Sequence, residues 1–166
     1  MSEEKENLSE EELLNRSKIR DDYSDPNRPI RLIVSGSRSI EQYSEFRQKL
    51  LQILEQLGPD QVEIVCGKNA RGVDDMCYHF VRWDIPHAHV LFEADWDRFD
   101  KKAGPYRNES MAVYASRASR FGELFVLWDG DSRGTKSMVN VARRYKLDSR
   151  VVISEPWTRE HFYALY

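Results

Sequence analysis

The chain has 166 residues, of which 40% are hydrophobic and 32% charged, and its formal net charge at pH 7 is −3. This composition is typical of one globular domain with its own core, and it argues against a disordered chain. No apolar run approaches the roughly 20 residues needed to cross a bilayer, and the acidic amino end is unlike a secretory signal. We therefore expect a cytoplasmic protein without a membrane partner. The two cysteines fit reduced, buried thiols better than a disulfide framework or a metal site.

Residues 1–29 are the acidic part of the chain. They carry nine acidic and five basic side chains, whereas the remaining residues carry 19 acidic and 20 basic ones. Because the segment is polar, poor in aromatics and interrupted by Pro26 and Pro29, we predict a mobile arm outside the core, with a docking element as the alternative. Ser9 and Glu12 have capping-box spacing, which could start a short helix. The nearly neutral remainder lacks the basic surplus of proteins that bind a nucleic-acid backbone, so a nucleic-acid partner is disfavoured.

After this segment, short apolar runs alternate with amphipathic stretches. The predicted strands span residues 32–35, 62–66, 87–92, 124–128 and 150–154, and the predicted helices span 41–57, 72–83, 108–120 and 136–145. This alternation is typical of a parallel sheet that is covered on both faces. Residues 30–154 are thus predicted to form an α/β domain with a Rossmann-like, open, mainly parallel sheet and helices on both faces. The aromatic tail, residues 155–166, is expected to pack on this domain or on a partner.

The segment that follows the predicted strand 124–128 is a glycine-rich polar turn just before a predicted helix. Its glycines permit close approach to the backbone, and its hydroxyl and guanidinium groups donate hydrogen bonds. The start of the next helix adds free N–H groups and the positive end of its dipole, so the turn fits a phosphate or a ribose. The alternative is an ordinary strand-to-helix loop. The candidate ligand-binding residues of this turn are Asp129, Gly130, Ser132, Arg133, Gly134 and Thr135.

Three other predicted strands also end in polar loops, over residues 36–39, 67–74 and 93–105. Loops at the carboxyl ends of parallel strands converge on one crevice, where ligands bind. The third loop is too long for a simple connector, which favours a functional role. The candidate residues in and beside these loops are Gly36, Ser37, Arg38, Gly67, Arg71, Gly72, Asp74, Trp96, Arg107 and Asn108. Trp96 could stack on a base, although packing of the long loop explains it equally well.

Together, the segments 35–38, 67–74, 93–111 and 129–135 resemble the SLOG superfamily, which joins the DNA-processing Smf/DprA proteins with the Lonely Guy enzymes, and within it the YspA/YpsA-type branch. The resemblance covers about residues 30–154. It implies a Rossmann-like sheet that binds a nucleotide or a nucleotide-derived ligand, such as an ADP-ribose-like molecule, often as a homodimer or a higher homo-oligomer. At Asp100, related YspA-type sequences tend to have glycine instead.

The resemblance also implies roles for single residues. Gly36, Ser37 and Arg38 would line the floor of the pocket. Asp74 would hold a ribose hydroxyl or orient Arg71, unless it only stabilises the start of a helix. Arg107, four residues before Met111, resembles the Arg-x-x-x-Met element of the Lonely Guy enzymes, in which the arginine faces the ribose and the base. A surface salt bridge is the alternative for Arg107.

The chain departs from the Lonely Guy pattern after Thr135. Those enzymes continue Gly-Thr-x-x-Glu, and the glutamate assists cleavage between base and ribose by stabilising positive charge on the sugar. Met138 occupies that position here, so a hydrolase would need a substitute carboxylate, and the candidates are Glu109, Asp129 and Asp131. Our prediction is a sensor, sequestering or regulatory module that binds a nucleotide, with a phosphoribohydrolase-like enzyme acting on nucleoside monophosphates as the alternative. The sequence leaves open whether the ligand is turned over.

His87 and His89 are two residues apart on a predicted strand and would share one face of it. That spacing is compatible with a metal ion, but the sequence shows no evident third ligand. We therefore interpret both histidines as structural and predict neither a metal nor a cofactor.

Overall fold

The computed structural model describes residues 7–154 of the chain. Six strands are formed: β1 Ser17–Arg20, β2 Ile30–Gly36, β3 Val62–Gly67, β4 His89–Ala94, β5 Phe121–Trp128 and β6 Asp148–Ile153. Six α-helices accompany them: α1 Glu10–Leu14, α2 Tyr43–Leu57, α3 Val73–His79, α4 Trp96–Phe99, α5 Ala103–Ser116 and α6 Arg133–Arg144. Short 3-10 turns lie at Pro59–Gln61 and Asp100–Lys102, and a π turn at Phe80–Asp84 extends α3.

The strands form one sheet in the order β1-β4-β3-β2-β5-β6. All neighbouring pairs are parallel except β1 and β4, which are antiparallel. The chain leaves β2 towards β3 on one side and later adds β5 on the other, so the connections after β2 and β5 diverge and leave a crevice between them. The predicted α/β fold with a mainly parallel, Rossmann-like sheet is confirmed.

Two hydrophobic cores lie on opposite faces of the sheet. Leu32 and Val34 of β2 pack with α2 and α3 on one face, whereas Ile33 of the same strand packs with α5 and α6 on the other. Both faces of β2 are therefore covered, which explains why its sequence is an unbroken apolar run rather than an alternating one. The prediction of helices on both faces is confirmed.

The amino-terminal segment differs from the predicted arm over residues 10–20. Strand β1 pairs with β4, with Ser17 opposite Ala94, and so covers an edge that would otherwise expose unpaired backbone groups. The Ser17 hydroxyl lies 2.8 Å from Ser110 Oγ on α5. At the start of α1, Ser9 Oγ accepts a hydrogen bond from the backbone N–H of Glu12 at 3.2 Å, so the predicted start of a short helix after Ser9 is confirmed. The predicted aromatic tail, residues 155–166, lies outside the described residues.

The boundaries of two helices near the crevice differ from the prediction. Helix α5 begins at Ala103, five residues before the predicted start, and ends at Ser116. Pro105 was interpreted as a loop residue, but it lies in the first turn of α5, where its missing N–H costs nothing. Helix α6 begins at Arg133 instead of residue 136, because Ser132 caps it by accepting a hydrogen bond from the Thr135 N–H.

Among residues 7–154, no helix combines the length and the apolar character needed to span a bilayer.

Cys66 and Cys77 are both free and buried in the core on the α2 and α3 face of the sheet, as predicted.

Candidate functional site

A cavity of about 750 Å³ lies at the carboxyl ends of β2, β3, β4 and β5. Its volume falls in the range of about 300–1,000 Å³ that is usual for small-molecule sites. Each of the four strands contributes the loop or helix start that follows it. The candidate residues that line the cavity are Gly36, Arg38, Arg71, Asp74, Trp96, Arg107, Asn108, Asp129, Ser132, Arg133, Gly134 and Thr135.

Four candidate residues do not line the cavity: Ser37, Gly67, Gly72 and Gly130. Sequence reasoning missed several residues that do, namely Ser35, Ser39, Glu41, Asn69, Gly104, Pro105 and Ser137. Most of these lie inside the predicted loops, beside residues that were chosen for their charge or backbone freedom. Ser137 is different, because it lies about one turn into α6, on the same side as the first residues of the helix. Helical spacing from Arg133 and Gly134 could have identified it.

Ser37 holds the turns after β2 and β5 together. Its hydroxyl accepts a hydrogen bond from the backbone N–H of Asp129 at 3.0 Å and lies 3.4 Å from Thr135 Oγ1. Its own N–H donates to the carbonyl oxygen of Leu127 at 3.0 Å. Ser37 is nearly inaccessible to solvent. It therefore does not face the cavity but holds in place the turns that form the cavity wall.

Asp129 forms the base of the turn after β5. Its carboxylate accepts hydrogen bonds from the Ser39 hydroxyl at 2.6 Å and from the N–H groups of Asp131 and Ser132 at 2.8 and 2.7 Å. Burial raises the pKa of Asp129, but these hydrogen bonds outweigh that effect and hold the pKa below its usual value. The group is therefore ionised at neutral pH, and it fixes the turn that leads into α6.

The amino end of α6 offers free donors to the cavity. The Ser132 hydroxyl accepts a hydrogen bond from the Thr135 N–H at 3.4 Å, and the Ser132 carbonyl oxygen accepts one from the Lys136 N–H at 3.2 Å. Within residues 7–154, no acceptor takes the N–H groups of Arg133 and Gly134. Free N–H groups at the positive end of a helix dipole are suited to an anion.

Gly72 allows the loops after β2 and β3 to touch. Its φ is +79°, and a Cβ atom there would lie 2.4 Å from Arg38 Cα. The neighbouring Val73 N–H donates to the Ser37 carbonyl at 3.3 Å. Any other residue at position 72 would strain the backbone and separate these two loops.

Asp74, in the first turn of α3, is a buried carboxylate in the wall of the cavity. The residue is 5% exposed, and its Oδ2 lies 3.8 Å from Nη1 of Arg107 on α5. Neither carboxylate oxygen accepts a hydrogen bond from another residue in the described part of the chain, and Oδ1 is fully buried. Burial raises the pKa of Asp74, and the guanidinium groups of Arg107 and Arg38 offset this only in part. The predicted partner of Asp74 was Arg71, whereas the structure brings Arg107 to it.

Trp96, at the start of α4, presents an aromatic surface at the rim of the cavity. The residue is 53% exposed, although it is large and apolar. A Cβ atom at Gly104 would lie 3.5 Å from the Trp96 ring, so the absence of a side chain there leaves the ring uncovered. An exposed indole at a cavity is a suitable stacking surface for a planar base.

No protein-family model, curated protein or solved structure matches the chain. The likeness to the SLOG superfamily therefore depends on the residues of the four loops alone, and it stays a prediction.

The residues that were considered for catalysis are dispersed. Met138 is fully buried in the core beneath α5 and α6 and does not line the cavity. Glu109 lies outside the cavity wall, with Oε2 3.2 Å from the Tyr145 hydroxyl and 3.7 Å from the Arg144 guanidinium. Asp131 is exposed and also lies outside the wall. Of the three carboxylates proposed as substitutes, only Asp129 lines the cavity.

The two histidines lie at the opposite edge of the sheet, near the start of β4. His87 Nε2 is 2.7 Å from the Val62 carbonyl oxygen, and His89 stacks on Tyr23 with 5.3 Å between ring centroids. No group of three metal-ligating side chains gathers within residues 7–154. A second cavity of about 530 Å³ lies at this edge, beside Arg82, Trp83 and His87.

Proposed function

We propose that this protein binds a nucleotide or a nucleotide-derived ligand, such as an ADP-ribose-like molecule, and acts as a sensor, sequestering or regulatory module. One observation carries the proposal: four loops from parallel strands meet in one cavity that combines free cationic groups, free helix N–H groups and an exposed indole. These features correspond to the phosphate, sugar and base of a nucleotide. The hypothesis that the chain is a SLOG protein of the YspA/YpsA type, with a tendency to homo-oligomerise, agrees with this proposal.

The charge of the cavity favours an anionic ligand. Arg38, Arg71 and Arg133 line it, and none of them forms an ion pair within residues 7–154. Guanidinium groups donate in the planar arrangement that suits phosphate oxygens. Because the sheet region is nearly neutral as a whole, the positive charge is local, which fits a small phosphorylated molecule better than a long nucleic acid.

The test is a thermal-shift and calorimetry screen of the full chain. The panel contains the four ribonucleoside 5′-monophosphates, ADP-ribose and inorganic phosphate. A ligand at about 100 times its dissociation constant should stabilise the fold by roughly 2.7 kcal/mol. We expect at least one nucleotide to do so, and no shift with any member of the panel would overturn the proposal.

Two arginines on α6 provide a matched pair of variants. Arg133→Ala removes a guanidinium from the cavity wall and should weaken binding of the ligand found in the screen. Arg143→Ala removes an exposed guanidinium from the last turn of the same helix, away from the cavity, and should leave the affinity unchanged. Equal losses in both variants would indicate a general charge effect instead of a site.

A phosphoribohydrolase-like activity is the second candidate function, and the ionised carboxylate of Asp129 in the cavity wall favours it. Such a reaction hydrolyses the bond between base and ribose and needs a carboxylate near the anomeric carbon. Chromatography of nucleoside monophosphates incubated with the protein would show released base. Retention of the activity in Met138→Ala, together with its loss in an Asp129→Asn variant of unchanged thermal stability, would assign the chemistry to Asp129. Intact nucleotide after prolonged incubation would exclude a hydrolase.

A further inference from the structure

The amino-terminal segment contacts the two helices that form one wall of the cavity. The strap, residues 9–20, comprises the cap of α1, α1 itself and β1. Residues 96–108 of α4 and α5 contribute Trp96, Arg107 and Asn108 to the cavity. The same stretch of chain also carries side chains that contact the strap. This part of the wall therefore lies against the strap as well as against the cavity.

Arg98 connects the strap to α4. Its guanidinium donates a hydrogen bond to the carbonyl oxygen of Asn15 at 2.9 Å, and it lies 3.6 Å from the buried carboxylate of Asp95, directly after β4. Trp96 is the first residue of α4, which has only four residues. A helix this short has little stability of its own and depends on tertiary contacts. The position of the Trp96 ring therefore depends on the contacts that Arg98 makes.

Arg16 connects the strap to the start of α5. Its guanidinium lies 4.0 Å from the centroid of the Tyr106 ring, and Phe99 packs edge-on against the same ring with 5.0 Å between centroids. Tyr106 lies between Pro105 and Arg107, which both line the cavity. A cation over an aromatic face is attracted to it. Arg16 therefore holds the first turn of α5 and, through Phe99, the end of α4.

Ser110 fixes the strap one turn further along α5. Its buried hydroxyl lies 2.7 Å from the carbonyl oxygen of Leu13 and accepts a hydrogen bond from the Ser17 hydroxyl at 2.8 Å. Tyr106 and Ser110 are four residues apart and so share one face of α5. Arg107, on the same helix, lines the cavity. One face of α5 is thus held by the strap, while another is presented to the ligand site.

We propose that the strap is a positioning element of the ligand site, in which Arg16 and Arg98 hold α4 and the start of α5 where Trp96 and Arg107 can reach the ligand. Neither Arg16 nor Arg98 lines the cavity, so both act through the wall. The effect on affinity rests on the proposed function, whereas the hold on the wall does not. If only about a tenth of the molecules keep the wall in its binding position, the apparent affinity falls about tenfold.

The experiment compares the double variant Arg16→Ala/Arg98→Ala with the wild-type protein in two measurements on the full chain. Hydrogen exchange of the ligand-free variant should be faster in residues 96–108 and unchanged in the turn 129–135. Calorimetry should show that the nucleotide found in the screen binds about tenfold more weakly. The first measurement needs no ligand, so it reports on the wall alone.

Two other arginines that form ion pairs with or within the strap provide a matched control. Arg20 lies 3.9 Å from Glu93, and Arg117 lies 3.3 Å from Glu10, at the end of α5 and nearly three turns after Arg107. The double variant Arg20→Ala/Arg117→Ala removes the same number of charges without touching the contacts to residues 96–108. It should leave both the exchange in that segment and the affinity unchanged.

Substitutions of Tyr106 test the same contact from its other side. Tyr106→Phe keeps the ring under the Arg16 guanidinium and should bind the nucleotide as the wild-type protein does. Tyr106→Leu removes the ring and should weaken binding. If Arg16→Ala/Arg98→Ala does not fold, the comparison of these two variants decides.

The outcomes separate this inference from the proposed function. Unchanged exchange in residues 96–108 of Arg16→Ala/Arg98→Ala overturns the hold of the strap on the wall, and faster exchange with unchanged affinity overturns its role in binding. Equal effects in the control double variant also overturn the proposal, because they would show only a general loss of stability. Failure of every nucleotide to bind the wild-type protein overturns the proposed function, and the exchange measurement then still decides whether the strap holds the wall.

Discussion

At the scale of a single residue, the buried carboxyl group of Asp74 affects the stability of the folded protein. Its carboxyl group is almost buried and has no hydrogen bond within residues 7–154. Burial raises its pKa by disfavouring the charged form, and Arg107 and Arg38 offset this only in part. At neutral pH, the charged form of this buried carboxyl group therefore lowers the stability of the folded protein.

Asp74→Asn should make the ligand-free protein more stable at neutral pH, by on the order of 1 kcal/mol, because the amide has no charge to desolvate. The folded-state pKa of Asp74 lies above the unfolded value of about 3.9. The stability linked to its protonation is therefore fully present below the unfolded pKa and is lost as the pH rises through the folded pKa. Urea unfolding at several pH values should show the gain near pH 7 and its disappearance near pH 3.

Asp75→Asn is the control for this measurement, since Asp75 is the next residue along the chain and is exposed. It should show no gain at any pH. A variant Asp74→Asn that is less stable than wild type over the whole range would mean that attraction to Arg107 outweighs the desolvation of the carboxylate.

Asp100 is a second residue that lowers stability, in this case through an unfavourable backbone conformation. Its φ is +48° and its ψ −125°, between α4 and α5. This conformation favours glycine and costs other residues on the order of 1–3 kcal/mol. Asp100→Gly should raise the free energy of unfolding by about 1 kcal/mol in chemical denaturation. The control Asp97→Gly, inside α4, should lower the free energy of unfolding. A destabilised Asp100→Gly variant would indicate that the Asp100 carboxylate has a role in the turn.

At the scale of the element, the amino end of α6 both caps a helix and faces the cavity. Ser132 accepts the N–H of Thr135 on its side chain, while the N–H groups of Arg133 and Gly134 stay free for a ligand. These two roles can be separated by substitution, because different residues cap a helix equally well but differ in charge.

Ser132→Asp should preserve stability and prevent binding of a phosphorylated ligand. Aspartate is as good a cap as serine, and its charge is favourable beside the helix dipole by about 0.3–1 kcal/mol. The same charge would repel a phosphate at the end of α6. Thermal unfolding and calorimetry with the nucleotide found in the screen would measure the two effects. Ser132→Ala should behave in the opposite way, with a loss of about 0.5–2 kcal/mol of stability and most of the affinity retained. Unchanged affinity in Ser132→Asp would place the phosphate elsewhere.

The elements near the site differ in how well sequence predicts them. Strands β2 and β3 and helix α2 follow from unbroken apolar runs and from helical periodicity, which are local properties. The start of α5 was missed because Pro105 is a loop signal nearly everywhere except in a first turn. Strand β1 was missed because its pairing with β4 joins residues that are far apart in sequence, as Ser17 and Ala94 are.

The position of the candidate site could be predicted from the sequence, because the topology of a parallel sheet determines which loops lie together. The carboxyl ends of parallel strands lie on one edge, so the polar loops that follow them must lie near each other. The partner of Asp74 was not predictable, because the contact with Arg107 depends on the empty space at Gly67. Ser37 was predicted to line the floor, but its hydroxyl is taken up by the turn after β5.

At the scale of the whole molecule, the cavity is held together by segments that depend on different strands. The loops that line it follow β2, β3, β4 and β5, and each strand is fixed by its neighbours in the sheet. A ligand that contacts all four loops would oppose the separate opening of each of them. The opposite edge, with its own cavity around Trp83, has no part in this.

Hydrogen exchange should therefore show that a bound nucleotide protects several separate segments, all of them at the carboxyl ends of the parallel strands. With the saturating nucleotide, backbone amides should exchange more slowly in four separate segments, 36–41, 69–74, 96–107 and 129–135, since a ligand that bridges them raises the free energy of local opening in each. Residues 82–88, at the other edge of the sheet, should exchange at the same rate with and without the nucleotide, and they serve as the internal control. Protection confined to one loop would mean that the four loops do not form a common site, and protection at 82–88 would place the ligand in the second cavity.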